Sequence, residues 1–221
     1  MTLGCIFMNR KICYIFGAAQ TNIPLKFLPQ QGKDFIIAAD KGYSYIKKAG
    51  LTPDLIVGDF DSYGKVPVTD VEIVKFPTVK DDTDLMIAIN QGLDRGYSDF
   101  IIYGASGGKT DFTIANFQIL SKLAKKGCTA YLVGNNNIAT VICNSSVSFD
   151  ASYTGRISIL SLTEKSVGVT LTGLKYTLNS HVLTFDEPLG ISNEFIGKDG
   201  NISVSEGILA IIYDDSNDLL Q

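Results

Sequence analysis

The chain has 221 residues, 45% of them hydrophobic, and a formal net charge of -4. That suffices for one large domain or two small ones with a true apolar core. The acidic balance excludes the basic face that a nucleic-acid partner needs, and no apolar run of about 18 residues is present to span a membrane.

At the N-terminus, Leu3-Gly4-Cys5 has the look of a lipoprotein cleavage site. The few residues before it leave no room for a charged n-region and an apolar h-region, so no export signal is expected and Met8 is a candidate start. The cysteines are Cys5, Cys13, Cys128 and Cys143; no Cys-x-x-Cys pair occurs, and His181 is the only histidine. A zinc site or a Cys-His nucleophile has little to draw on, and reduced thiols in a cytoplasmic protein are expected.

The first predicted strand is the apolar run Ile12-Cys13-Tyr14-Ile15-Phe16, ending at Gly17. The second is Phe35-Ile36-Ile37-Ala38-Ala39, closed by Asp40-Lys41-Gly42. The third, Leu55-Ile56-Val57, runs into Gly58-Asp59-Phe60-Asp61-Ser62. Carboxylates two apart on an extended chain lie on one side, roughly 7 Å from each other. A hard cation such as Mg²⁺ takes oxygen ligands of this kind and commonly brings a phosphate. A turn with acidic caps would produce the same letters.

Lys80-Asp81-Asp82-Thr83-Asp84 comes next. Asp82 or Thr83 suits the N-cap of a following helix carrying Leu85, Met86, Ile89 and Leu93 on one face. Capping does not account for so many acids beside a lysine. Close carboxylates repel, and a bound cation relieves that cost, which makes Asp84 a candidate metal ligand with Asp59 and Asp61.

The strand Phe100-Ile101-Ile102-Tyr103 leads into Gly104-Ala105-Ser106-Gly107-Gly108-Lys109-Thr110-Asp111. Backbone N–H groups of such a loop can cradle phosphate, and Lys109 adds charge. One residue too few separates Gly104 from Gly108 for a Walker loop. The helix that follows carries Phe112, Ala115, Phe117, Ile119, Leu120 and Leu123, and stops at Lys125-Lys126-Gly127. Tyr131-Leu132-Val133 is the last strand of this grammar. Apolar runs alternating with helical patterns predict a layered, mostly parallel α/β sheet, with ligands outside the carboxyl ends of its strands.

Asn135-Asn136-Asn137 reads as a hinge. Beyond it Thr, Val, Ser, Ile and Gly dominate, and segments 156–162, 167–172 and 207–213 alternate with period two. The expectation is α/β overall: an N-terminal three-layer, mostly parallel sheet domain (1–134), followed by a C-terminal all-β sandwich (135–221). A fraying acidic tail is expected after residue 213. By themselves these residues leave open a transferase that holds a metal-bound nucleotide sugar, or a ligand-binding protein in which the acids only cap.

Taken in order, the motifs resemble thiamine pyrophosphokinases. They are Ala39-Asp40-x-Gly42, Pro53-Asp54-Leu55-Ile56-Val57-Gly58-Asp59-Phe60-Asp61-Ser62, Lys80-Asp81-x-Thr83-Asp84, Gly104-x-x-Gly107-Gly108-x-x-Asp111, Ala115-Asn116, Gly173-Leu174-Lys175-Tyr176 and Gly190-Ile191-Ser192-Asn193. The resemblance implies an α/β domain and a β-sandwich, and a homodimer whose active sites lie between the α/β domain of one subunit and the sandwich of the other. It implies the reaction ATP + thiamine → AMP + thiamine diphosphate, in the cytoplasm and with no nucleic acid or membrane as partner. By motif, Asp59, Asp61 and Asp84 would hold Mg²⁺; Asp40, Lys80 and Asp111 would line the cleft; Ser192 and Asn193 would face the thiamine. Gly42, Thr83, Gly107 and Gly108 fall within the binding motifs. Lys109 and the loop amides would hold polyphosphate. Asp84 or Asp111 is the nearby carboxylate that would take the hydroxyl proton, although Mg²⁺ keeps a ligand carboxylate a poor base.

The chain departs from the family pattern in places. Lys41 stands where glycine is usual, and Gly-Gly-Arg-x-Asp-His reads Gly107-Gly108-Lys109-Thr110-Asp111-Phe112. Lysine keeps the charge but lacks the guanidinium's bidentate fork. Tryptophan is absent, so an aromatic contact to thiamine must come from Tyr or Phe, with Tyr176 and Phe195 as candidates.

Overall fold

The computed structural model describes residues 10–19, 24–59, 70–76 and 82–214. The chain divides into two compact units, one built from Asn9–Asn116 with Leu132–Asn135, the other including Phe117–Tyr131 and Asn136–Gln221. The architecture is mixed α/β, with parallel strands in the first unit and antiparallel sheets in the second.

In the first unit, β1 (Cys13–Phe16), β2 (Phe35–Ala39), β3 (Leu55–Gly58), β4 (Glu72–Lys75) and β5 (Asp99–Tyr103) are parallel, in the order β5-β1-β2-β3-β4. β1, β3 and β5 are buried along their whole length, as their unbroken apolar runs require. β4 is short, carries Glu72 and Lys75, and is only partly buried. Two carboxylates tie the strand entries together. Asp34 accepts hydrogen bonds from the N–H groups of Ile12 (3.1 Å) and Gln30 (2.8 Å), and Asp54 accepts one from Ile36 (2.8 Å).

Helix α1 (Gly42–Lys48) was not expected from the sequence. It is short, and its start is fixed by contact: a Cβ on Gly42 would lie 1.7 Å from the carbonyl oxygen of Phe16. Helix α2 (Asp84–Asp94) begins where the apolar spacing predicts, with Thr83 as its N-cap; the Thr83 hydroxyl accepts from the Met86 N–H at 3.2 Å. Gly92 lets α2 press on the sheet, since a Cβ there would meet Phe100 at 2.7 Å and Cys13 Sγ at 3.0 Å. Burial pushes the Cys13 thiol well above its usual range, so Cys13 is a packing group and not a nucleophile.

Helix α3 (Thr110–Lys125) ends as its Lys-Lys-Gly signal predicts: Gly127 is left-handed (φ 75°) and the Cys128 N–H donates to the Leu123 carbonyl. Strand β6 (Thr129–Val133) follows.

The second unit is antiparallel. β7 (Asn137–Cys143), β14 (Ile208–Asp214), β9 (Arg156–Ser161) and the two-residue β12 (Asn193–Glu194) pair in that order. A second sheet has the order β11 (Leu178–Thr184), β10 (Lys165–Thr172), β13 (Gly200–Ser203), β8 (Ser146–Phe149). An aromatic cluster gathers Phe149 of β8, Tyr153, Phe195 and Tyr213 of β14, with ring centroids 5.0 to 5.8 Å apart.

Candidate active site

The first unit builds a cleft of about 350 Å³ outside the carboxyl ends of its strands. Its wall begins at Gly17, Ala18 and Ala19, just after β1, continues with Ala39 and Asp40 after β2, and with Thr83, Asp84 and Leu85 at the start of α2. The other wall is the glycine loop after β5 (Gly104, Ala105, Gly108, Lys109) with Phe112 and Asn116 of α3.

The strand ends meet closely. A Cβ on Gly17 would lie 2.7 Å from the Gly104 carbonyl oxygen, and the Ala19 N–H donates to that same oxygen at 2.8 Å. Gly104 and Gly107 are left-handed, at φ 65° and 77°, a conformation that glycine adopts at no steric cost. Below this floor, Phe16 stacks on Tyr103 at 5.3 Å, and Tyr45 meets both rings edge-on. The Tyr103 hydroxyl accepts from the Phe27 N–H (2.8 Å) and donates to the Phe27 carbonyl (3.1 Å), pinning the chain that returns from β1. Burial pushes Tyr45 up to about 12 and Tyr103 higher, so both phenols stay protonated and serve as packing and hydrogen-bonding groups.

Asp40 occupies a left-handed backbone position (φ 51°), uncommon for a non-glycine residue and tolerated by Asp. A Cβ on Gly58 would lie 2.5 Å from Asp40 Oδ1, so the Asp40 carboxylate sits directly against the end of β3. Asp59 is the next residue, half-buried. Asp84 lines the cleft from the first turn of α2, where the helix dipole favours an acid. Thus Asp40, Thr83, Asp84, Gly108 and Lys109 share one cleft, and Asp59 and Gly107 adjoin it in the chain. Asp111 is exposed in the first turn of α3, beside the cleft. Asp61 and Lys80 lie outside the described residues. Gly42 touches the Phe16 carbonyl and fixes α1 instead of lining the cleft.

Asn116 was not singled out as a site residue by sequence reasoning. It is buried on α3, and its Nδ2 donates to the Ala105 carbonyl at 2.5 Å, holding the glycine loop to the helix. Its sequence signal is a lone amide on an otherwise apolar helical face. Asn116→Ala should lower stability by about 1–3 kcal/mol, the cost of leaving a buried hydrogen-bonding group without its partner; thermal melts would detect it, and an unchanged Tm would remove Asn116 from the support of this loop.

Gly173-Leu174-Lys175-Tyr176 and Gly190-Ile191-Ser192-Asn193 fall in the second unit. A smaller cleft of about 320 Å³ is lined by Leu171, Tyr176, Leu178, Leu189, Gly190, Ile191 and Asn193. The Asn193 side chain is turned onto Tyr176: Oδ1 accepts from the Tyr176 N–H (3.0 Å) and Nδ2 donates to the Tyr176 carbonyl (2.7 Å). Ser192 is left-handed (φ 57°) and its N–H donates to Ser158 Oγ. Of the two aromatic candidates, Tyr176 is exposed at 60% and borders the cleft, whereas Phe195 is buried in the cluster with Phe149 and Tyr153.

Residues 30–132 match the family model described as thiamin pyrophosphokinase, catalytic domain, and residues 144–209 match thiamin pyrophosphokinase, vitamin B1 binding domain. The chain belongs to the thiamin pyrophosphokinase family. It is 31% identical over 182 residues to the thiamine pyrophosphokinase of Bacillus subtilis (strain 168), covering 80% of this chain and 85% of that one. The solved structure of thiamine pyrophosphokinase from Bacillus subtilis superposes with a TM-score of 0.81 at 28% identity, over 92% of this chain and 99% of that one. Thiamin pyrophosphokinase from Geobacillus thermodenitrificans gives 0.80 at 29% identity, over 95% and 100%. The activity of this thiamin pyrophosphokinase family member is transfer of the pyrophosphoryl group of ATP to the hydroxyl of thiamine, yielding AMP and thiamine diphosphate.

Proposed function

We propose that the first-unit cleft receives the ATP polyphosphate, with Lys109 and the amides of the glycine loop as its anion-binding wall and Asp59, Asp61 and Asp84 as ligands of one Mg²⁺. The observation that carries this reading is the convergence of Asp40, Asp84 and Lys109 on one cleft at the carboxyl ends of a parallel sheet. The donor chemistry fits the ion: these are carboxylate oxygens, which suit a hard cation, and Asp40 is pressed against the strand end that carries Asp59. Among the described residues no group of three or more His, Cys, Asp or Glu gathers to hold a metal; Asp61 is not one of them. Mg²⁺, when bound, supplies charge for the phosphoryl oxygens.

The chain's own part is positioning. Lys109 and the loop N–H groups hold the transferring group in line with the thiamine hydroxyl, and the dipole of α3 favours negative charge at that loop. Asp40, Lys80 and Asp111 complete the cleft, with Asp84 or Asp111 as acceptor of the hydroxyl proton. Ser192 and Asn193 serve the thiamine side, Asn193 by holding the Tyr176 backbone. Gly107 and Gly108 bring the loop close to phosphate, and Thr83 sets the α2 terminus that carries Asp84.

At the level of architecture we assign a three-layer α/β domain to residues 1–134 and a β-sandwich to residues 135–221. The cluster of Phe149 and Tyr213, which joins β8 to β14, supports the sandwich. A cytoplasmic homodimer completes the reading. Tyr176, Val182, Phe185, Leu189, Ile191 and Ile196 are all exposed large apolar residues, three of them (Tyr176, Leu189 and Ile191) lining one cleft, and exposed apolar surface of this kind supports an interface. No helix among the described residues is long and apolar enough to cross a membrane.

The experiment is direct. Protein mixed with ATP, Mg²⁺ and thiamine should release AMP, one per thiamine consumed, and EDTA in excess of Mg²⁺ should stop it. ADP as the nucleotide product, or turnover without thiamine, would sink the assignment; turnover undiminished by EDTA would remove the metal from it.

A further inference from the structure

Phe112 is an aromatic residue on the wall of the cleft that also holds Asp40, Asp84 and Lys109, and it is not buried. It stands third in α3, lines the cleft, and is 51% exposed. The ammonium of Lys109 sits over its ring, 5.7 Å from the centroid. The two residues are three apart at a helix start, the spacing that puts side chains on one face. One turn on, Asn116 is buried and bonded to the Ala105 carbonyl, so the first turn of α3 is tied to the glycine loop.

A benzene face carries the negative part of the ring quadrupole and attracts a cation. Lys109 is a poor permanent occupant. Its stem is long and flexible, and a charge-assisted hydrogen bond to phosphate is stronger than the contact it makes here. One of the two substrates is itself a cation of the kind an aromatic face recognises. The thiazolium nitrogen of thiamine is quaternary: its charge comes from bonding and not from a proton, and it has no N–H to donate, so a hydrogen bond cannot read that charge, whereas a ring face can. Asp40 and Asp84 in the same cleft add negative field without supplying such a face.

We propose that Phe112 is a recognition residue for the thiazolium ring, uncovered when Lys109 leaves its face for the ATP polyphosphate. The inference rests on the assignment of the cleft to ATP. It makes the two substrates bind cooperatively, because the lysine that blocks the ring in the empty cleft is drawn off by the nucleotide. Such coupling is reciprocal: thiamine must tighten nucleotide binding by the same factor.

Calorimetry on the full chain tests this, with thiamine titrated in the presence and absence of saturating Mg²⁺ and α,β-methylene-ATP, which is not cleaved at the bond in question. Wild type should bind thiamine about three- to thirtyfold more tightly with the nucleotide present, the range expected of one cation–π contact. Phe112→Leu, which keeps apolar volume and removes the ring, should lose that gain and bind the nucleotide analogue at least as tightly as wild type, since no ring then holds Lys109 back. Lys109→Met should weaken the analogue, yet raise thiamine affinity in the empty cleft. The neutral thiophene isostere of thiamine should bind wild type and F112L equally. Equal thiamine affinity for F112L and wild type beside the analogue would overturn the inference, and so would a loss confined to the nucleotide, which would mean that the ring stacks on adenine. If wild type fails to bind the analogue at all, the ATP assignment falls, and this inference with it.

Discussion

Replacing Asp59 by Asn should lower kcat by about a thousandfold and leave the protein folded. Asparagine keeps the shape and one oxygen donor of the side chain but removes the negative charge that a hard cation selects. A metal ion at a phosphoryl centre supplies several kcal/mol of charge stabilisation, and about 1.4 kcal/mol is a factor of ten in rate. Stability should hold, because Asp59 lies just past the end of β3, is only half-buried, and asparagine keeps the volume of aspartate. The measurement is kcat at saturating ATP, thiamine and Mg²⁺, with circular dichroism on the same sample. A kcat within tenfold of wild type would take Asp59 out of the metal site. Asp61→Asn, at the second carboxylate proposed for the same Mg²⁺, should behave alike.

Gly42→Ala should be the most damaging single methyl group in the first unit. The added carbon would lie 1.7 Å from the Phe16 carbonyl oxygen and 2.5 Å from its carbonyl carbon, both backbone atoms that cannot rotate away. Either α1 moves off β1 or β1 shifts in the sheet. Overpacking costs about 1–3 kcal/mol where side chains can yield, and a backbone clash is at or above the top of that range. About 3 kcal/mol corresponds to a fall in Tm of roughly 10 °C for a chain this long. Gly50→Ala is the control. Gly50 is also near α1, has φ 71°, and has nothing within 4 Å of its Cβ position, so only backbone strain of about 1 kcal/mol is expected. Thermal melts of the two variants compare them; equal losses would mean that contact with Phe16 does not fix α1.

The parallel strands β1, β2, β3 and β5 were legible because each reads as an unbroken, buried apolar run between glycine or aspartate signals, whereas β4, only partly buried and carrying Glu72 and Lys75, has no such run and was missed. The same rule explains what was missed. α1 has seven residues, Gly-Tyr-Ser-Tyr-Ile-Lys-Lys, too few to show a helical period; its place comes from the Gly42 contact, which no local pattern carries. β11 (Leu-Asn-Ser-His-Val-Leu-Thr) is exposed along most of its length, so it has no buried face to impose alternation. For the site, the acids and glycines stood out because of where they sit, at strand ends, and parallel topology brings such ends together. Side-chain use was not legible. Nothing in Ser192-Asn193 tells that the amide grips the Tyr176 backbone, and Phe195 looks as available as Tyr176 until the aromatic cluster is seen. Nor does the letter at Phe112 tell that its ring stands exposed on the cleft wall.

That position has a practical consequence. The chain contains no tryptophan among its 221 residues, so Phe112→Trp would install a single fluorophore on the cleft wall, excited without interference from the ten tyrosines at long wavelength. Its emission would report in real time which partner lies against the ring. Stopped-flow traces could then separate arrival of the nucleotide from arrival of the vitamin, an order of events that product assays merge into one number.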